Sequence, residues 1–219
     1  MGVERALEDI RSDVAAATVK VRGYQSDIEK VGLGVLVEGG YLVTAAHCLE
    51  YDNDTGARIT LGEHVFYEIE TAQGEKLNVA PVFIESISDV AVLGPLDSYS
   101  YDEEWIAAYE AFLKRTRPVP LWSGRDAGSF GIHVHSHKKT WISGKATIGT
   151  AGQPYIWIKT GERIEGGTSG GPIINDSGEL VSVVTAAGGY LGVTNEGHAP
   201  SLRYALPAGL FGEMCGTEP

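Results

Sequence analysis

A chain of 219 residues, 43% of them apolar, can hold one large β domain or two small ones sharing an interface. Its 17 Lys and Arg against 29 Asp and Glu give a formal charge of −12. That field repels phosphates and argues against nucleic acid or an anionic membrane surface as a partner.

Val3, Leu7, Ile10 and Val14 fall at helical spacing, which predicts a short amphipathic helix at the start. From Thr18 the pattern alternates through Val19, Lys20, Val21 and Arg22. Gly32 to Val37 and Tyr41 to Ala46 read as strands joined through Glu38-Gly39-Gly40. Further strands are predicted at Arg58 to Gly62, His64 to Thr71, Asn78 to Ile84 and Val90 to Leu93. Turns fall at Asn53-Asp54-Thr55-Gly56 and at Gln73-Gly74. A capping box at Ser100 to Glu103 precedes Trp105, Ala108, Tyr109, Phe112 and Leu113, an apolar stripe of about three helical turns ending near Arg117-Pro118. After Pro120 short strands resume: Gly131 to Val134, Thr140 to Ile148, Tyr155 to Lys159, Pro172 to Asn175, Leu180 to Ala186 and Ser201 to Leu206. The 29 glycines against 9 prolines fit this rhythm of tight turns. The expectation is an all-β chain of two halves, about six strands each, bridged by a helix-bearing connection over residues 97–119.

Two cysteines, Cys48 and Cys215, are too few for a disulfide-built secreted scaffold. The first residues carry charges where a signal peptide has an apolar stretch, and no run approaches the roughly 18 apolar residues that span a bilayer. A cytoplasmic, reduced protein is expected, unless a leader is missing from this sequence.

Three stretches carry chemistry. In Gly166-Gly167-Thr168-Ser169-Gly170-Gly171-Pro172 a serine is boxed in by glycines, on a turn that can aim backbone N–H groups at one point. Alone, such a run is as readily a plain loop. Leu42-Val43-Thr44-Ala45-Ala46-His47-Cys48 puts an imidazole at the end of an apolar strand, suited to take a proton near neutral pH. Ser88-Asp89-Val90-Ala91-Val92-Leu93 opens a strand with an aspartate, which is either a turn former or the acceptor that fixes a histidine tautomer.

Together these segments resemble the trypsin/chymotrypsin-like serine peptidases, in that family's order His, Asp, Ser. Thr44-Ala45-Ala46-His47-Cys48 matches its histidine motif throughout, and the resemblance runs from about Thr18 to Leu206. It implies two six-stranded antiparallel barrels forming one peptidase domain, with residues 1–117 carrying His47 and Asp89 and residues 118–219 carrying Ser169. It implies Ser169 as nucleophile, His47 as general base and acid, Asp89 as orienting carboxylate, and the N–H groups of Gly167 and Ser169 as the oxyanion hole. The reaction expected is acyl-enzyme hydrolysis of a protein or peptide substrate with no cofactor. The rival is a catalytically quiet or partner-activated peptide-binding module of the same fold.

The departures from the family pattern add expectations. Thr168 stands where zymogen-derived members have aspartate, and no Ile-Val-Gly-Gly segment occurs near the start. Competence without proteolytic activation follows, as in the bacterial HtrA-like branch. The usual disulfide partner of Cys48 falls near Gly32, so Cys48 is expected reduced and buried. The specificity pocket should draw on Arg163, Thr185, Ala187 and Arg203. Arg163, near where trypsin-type members carry aspartate, disfavours basic side chains. An arginine directed inward would suit an acidic one, and a solvated surface arginine is the plainer reading. Past Phe211 no PDZ-like segment follows, so a fused or associated regulatory domain would lie outside this sequence. His133, His135 and His137 alternate, which suggests a solvated strand face more than a zinc site.

Overall fold

The computed structural model describes residues 6–25, 28–49, 51–52, 56–57, 66–96, 103–124, 127–149, 154–185 and 195–216. Helix α1 (Leu7–Ala17) buries Ile10 and Val14 of the predicted stripe together with Ala17, while Leu7 is half-buried and Val3 lies outside the described residues. The Thr18 hydroxyl donates to the Val14 carbonyl at 2.7 Å, closing the helix as the chain turns into β1 (Thr18–Gln25). β1 buries Val19 and Val21, while Lys20 and Arg22 face out to Glu70 at 2.6 and 2.7 Å. Side chains therefore alternate between core and solvent, as a half-buried strand requires.

β2 (Ile28–Val37), β3 (Tyr41–Ala45), the small pair β4 (Tyr51–Asp52) and β5 (Gly56–Ala57), β6 (Tyr67–Glu70), β7 (Lys76–Glu85) and β8 (Val90–Gly94) follow. Six of these strands close an antiparallel barrel in the order β1-β2-β3-β8-β7-β6. The Glu38-Gly39-Gly40 connection works because Gly39 and Gly40 adopt φ of 78° and 77°. The predicted strand at Arg58 to Gly62 and the start of the one at His64 lie outside the described residues, as do Asn53 to Thr55 and the cap at Ser100.

Helix α2 (Glu103–Arg115) buries Tyr109 and Phe112 from the predicted stripe. The Tyr109 hydroxyl donates to the Gly40 carbonyl at 2.8 Å, tying α2 to the glycine hairpin. The chain then crosses between the halves: Val119 N–H donates to Leu36 O at 2.9 Å, and Leu180 N–H to Pro120 O at 2.7 Å.

The second half contains β9 (Gly128–His135), β10 (Trp141–Ile148), β11 (Tyr155–Thr160), β12 (Pro172–Asn175), β13 (Leu180–Val183) and β14 (Glu196–Pro200). They form a curled antiparallel sheet in the order β13-β12-β9-β10-β11-β14. Its ends meet through a side chain, since Ser182 Oγ donates to Pro200 O at 2.6 Å. Ile132, Val134, Ile156, Ile158 and Ile173 fill its interior. The architecture is the expected double barrel, with the second barrel open along one seam.

The short pair β4 and β5 is not among the expected strands, and the C-terminal end of the chain differs. Ser201 to Leu206, read as a strand, contains helix α3 (Leu202–Ala205), and the strand is β14 just before it. Helix α4 (Ala208–Met214) follows. Leu202, Ala205 and Leu206 have i, i+3, i+4 spacing, and with Phe211 and Met214 they join the core of the first barrel. Two short helices bury that stripe where a strand would have split it between two faces.

Candidate active site

β3 and β8 are paired neighbours, with Ala45 opposite Val90, so the residues after one and before the other meet at one barrel end. Ala46 N–H donates to Asp89 O at 3.1 Å. Asp89 takes φ of 57°, a left-handed conformation that Asp tolerates better than most residues and that aims its carboxylate back at β3. Asp89 Oδ1 accepts the His47 backbone N–H at 2.8 Å, and Oδ2 lies 2.7 Å from His47 Nδ1. Two bonds to one carboxylate fix both the backbone and the ring of His47, and leave Nε2 as the nitrogen facing outward. Asp89 is buried, whereas the His47 side chain is 33% exposed. The Asp89 bond, and next the Cys48 sulfur, hold the His47 pKa well above its ordinary 6.5.

The glycine-boxed serine loop is fastened to both barrels, to the first through Leu33 and to the second through Val184. Leu33 N–H donates to Ser169 O at 2.7 Å, Gly170 N–H to Val184 O at 2.7 Å, and Val184 N–H to Gly171 O at 2.9 Å. Gly170 has φ of 76°, and a Cβ there would stand 1.8 Å from Leu33 O and 2.5 Å from Thr44 Oγ1. Only glycine fits. Gly32 shows how the halves of the site converge: a Cβ there would meet Cys48 Sγ at 2.2 Å and Ser169 O at 3.0 Å. The serine and the residue following His47 thus share one side-chain-free gap. Among the described residues, the N–H groups of Gly167 and Ser169 donate to no protein acceptor. Cys48 is in no disulfide and is buried, with its sulfur filling the space a side chain at Gly32 would need.

Of the residues expected in the specificity pocket, exposed Arg163 lines a cavity of about 400 Å³ with Glu162, Glu165 and Gly166, beside the serine loop. Thr185 is buried, and its hydroxyl has no partner among the described residues. Arg203 lies on α3 with its guanidinium 5.7 Å from the centre of the Phe211 ring. Ala187 lies outside the described residues.

The histidine run is not a solvated face. His133 is buried: Arg11 Nη2 donates to its Nδ1 at 2.9 Å, so its Nε2–H donates to Asp176 Oδ1, also at 2.9 Å. His135 is buried against Trp141 at 4.8 Å between ring centres, and burial pushes its pKa down to about 4. His137 has left the strand, and its Nδ1 is 3.1 Å from Thr168 Oγ1. Alternation placed two of the rings on one face but could not tell which face the domain covers. The His137–Thr168 contact joins residues 31 apart, and no periodic signal announces it. Among the described residues, no three His, Cys, Asp or Glu side chains gather as metal ligands.

The trypsin-like peptidase domain family matches residues 32–183, from the glycine beside Cys48 to the last residue of β13. The chain belongs to that family. Three solved structures share its fold. A serine endoprotease from Yersinia pestis is 19% identical with a TM-score of 0.61, over 98% of this chain and 68% of that one. The HtrA-type protease AlgW, solved with a tripeptide, is 17% identical with a TM-score of 0.60, over 97% and 65%. The Rv3671c protease from M. tuberculosis, in its active form, is 16% identical with a TM-score of 0.60, over 96% and 86%. The chain therefore spans about two thirds of the length of the first two. Comparison with curated proteins gives no significant match.

Proposed function

We propose that this peptidase domain is a serine endopeptidase using Ser169, His47 and Asp89, competent without proteolytic activation. The observation that carries the reading is the doubly bonded His47–Asp89 pair set across the Gly32 gap from Ser169. In the family's mechanism Ser169 Oγ attacks the scissile carbonyl while His47 Nε2 takes its proton. Asp89 holds Nδ1–H and stabilises the imidazolium, and the N–H groups of Gly167 and Ser169 receive the oxyanion. The imidazolium then protonates the leaving amine, and a water activated by His47 hydrolyses the acyl-enzyme. No step calls for a cofactor. Substrates would be peptides or proteins whose side chain enters beside Arg163 and Gly166, encountered in the cytoplasm.

A fluorophosphonate probe tests this directly. One adduct on Ser169 in the intact protein, absent from Ser169→Ala, is expected. An unlabelled wild type that hydrolyses no peptide as well as S169A hydrolyses none would sink it.

A further inference from the structure

Ser169 is bonded to the first barrel through Leu33, and Gly170 and Gly171 to Val184 of the second, but residues 165–168 need support of their own. Within this stretch Thr168 N–H makes a long 3.3 Å bond to Glu165 O, and a Cβ on Gly166 would meet nothing within 4 Å. The Thr168 side chain is nonetheless fully buried, and a buried hydroxyl must find a partner. Its partner is His137, whose Nδ1 is 3.1 Å and whose backbone N is 3.5 Å from Thr168 Oγ1. The same imidazole covers Gly167, where a Cβ would touch the ring at 3.5 Å. One residue along, Lys138 Nζ pairs with Glu165 at 2.5 Å.

The support is itself firm. His137 and Lys138 sit in the β9–β10 turn, closed by Ser136 N–H to Thr140 O and Lys139 N–H to Ser136 O, both 2.9 Å. The Ser136 and Thr140 hydroxyls also bond at 2.7 Å. Gly167 is in the left-handed region at φ of 87°, so its N–H direction depends on what holds the peptides either side of it.

We infer that His137 is a positioning residue: through Thr168 and against Gly167, it holds the 165–168 segment in the conformation that presents the Gly167 N–H. Its catalytic consequence rests on reading Ser169 as the nucleophile, but the order it imposes on the loop does not. Thr168 would then be a functional replacement for a charged residue at that position, using a neutral hydrogen bond from a neighbouring turn.

The test is amide hydrogen exchange over residues 165–171 in wild type, His137→Ala, His137→Asn, Thr168→Val and Thr168→Ser, with kcat, KM and phosphonate labelling on the same samples. H137A and T168V should raise exchange of this segment about fivefold, the range one net hydrogen bond supports. kcat should fall by at least the same factor with KM little changed. H137N and T168S, which keep a bonding partner, should stay near wild type. His137 is exposed, so H137A should lower the Tm of the whole domain by no more than about 2–4 °C, the worth of that one bond. Unchanged exchange in both H137A and T168V, or a rise spread evenly over both barrels, would overturn the inference. A wild type that no phosphonate labels would refute the peptidase reading instead, and the exchange result would still decide the role of His137.

Discussion

Introducing Gly32→Ala puts a methyl carbon 2.2 Å from Cys48 Sγ, far inside contact distance, in a wall where Cys48 is only 3% exposed. Overpacking of this kind costs about 1–3 kcal/mol, and for a domain of this size each kcal/mol lowers Tm by about 2–4 °C. G32A alone should therefore melt about 2–12 °C below wild type. Cys48→Ala alone removes one buried sulfur and leaves a void, costing about 1 kcal/mol. In the double variant the new methyl occupies the space of the lost sulfur, and the alanine also restricts the unfolded chain by about 0.4–1 kcal/mol. The double variant should then be more stable than the sum of the singles predicts by about 1–3 kcal/mol. Urea denaturation of all four proteins measures the coupling. Additivity within about 0.5 kcal/mol would show that the glycine is not there to admit the sulfur. The remaining 3.0 Å approaches to Ser169 O and to the Cβ of residue 48 keep the double variant slightly below wild type.

Because the Asp89 bond raises the His47 pKa and the general base must be neutral, kcat/KM should rise with pH through a midpoint above 6.5. Asp89→Asn should move that midpoint down and cut kcat about 10⁴-fold, the loss known when this tautomer is mis-set. A wild-type midpoint at or below 6.5 would contradict the pairing. Gly170→Ala places Cβ 1.8 Å from Leu33 O at φ of 76°. The Leu33–Ser169 bond should break, and phosphonate labelling should fall at least about tenfold, roughly one hydrogen bond's worth. Labelling at the wild-type rate would mean that this bond does not place the serine.

The strands and the central helix were legible, and the three candidate catalytic positions could be proposed, because each rests on a local pattern. Val19/Val21 against Lys20/Arg22 is a period of two, and Tyr109/Phe112 lies on a helical stripe. His47, Asp89 and Ser169 each stand in a short motif. What stayed hidden depends on tertiary cover. Leu202, Ala205 and Leu206 had helical spacing, but five apolar or small residues also make a passable strand until the first barrel supplies a surface for one face. His133 looked solvated because alternation is blind to Arg11 on α1, which arrives from 122 residues away. The same holds for His137 and Thr168.

The bond from Leu33 N–H to Ser169 O crosses from one barrel to the other. His47 and Asp89 ride on the first barrel and Ser169 on the second, so the geometry proposed for the reaction is a property of how the two are docked. Denaturant that loosens this seam should silence the protein while both barrels keep their strands. Activity would then report the join between the two barrels, and its loss would precede the loss of strand structure.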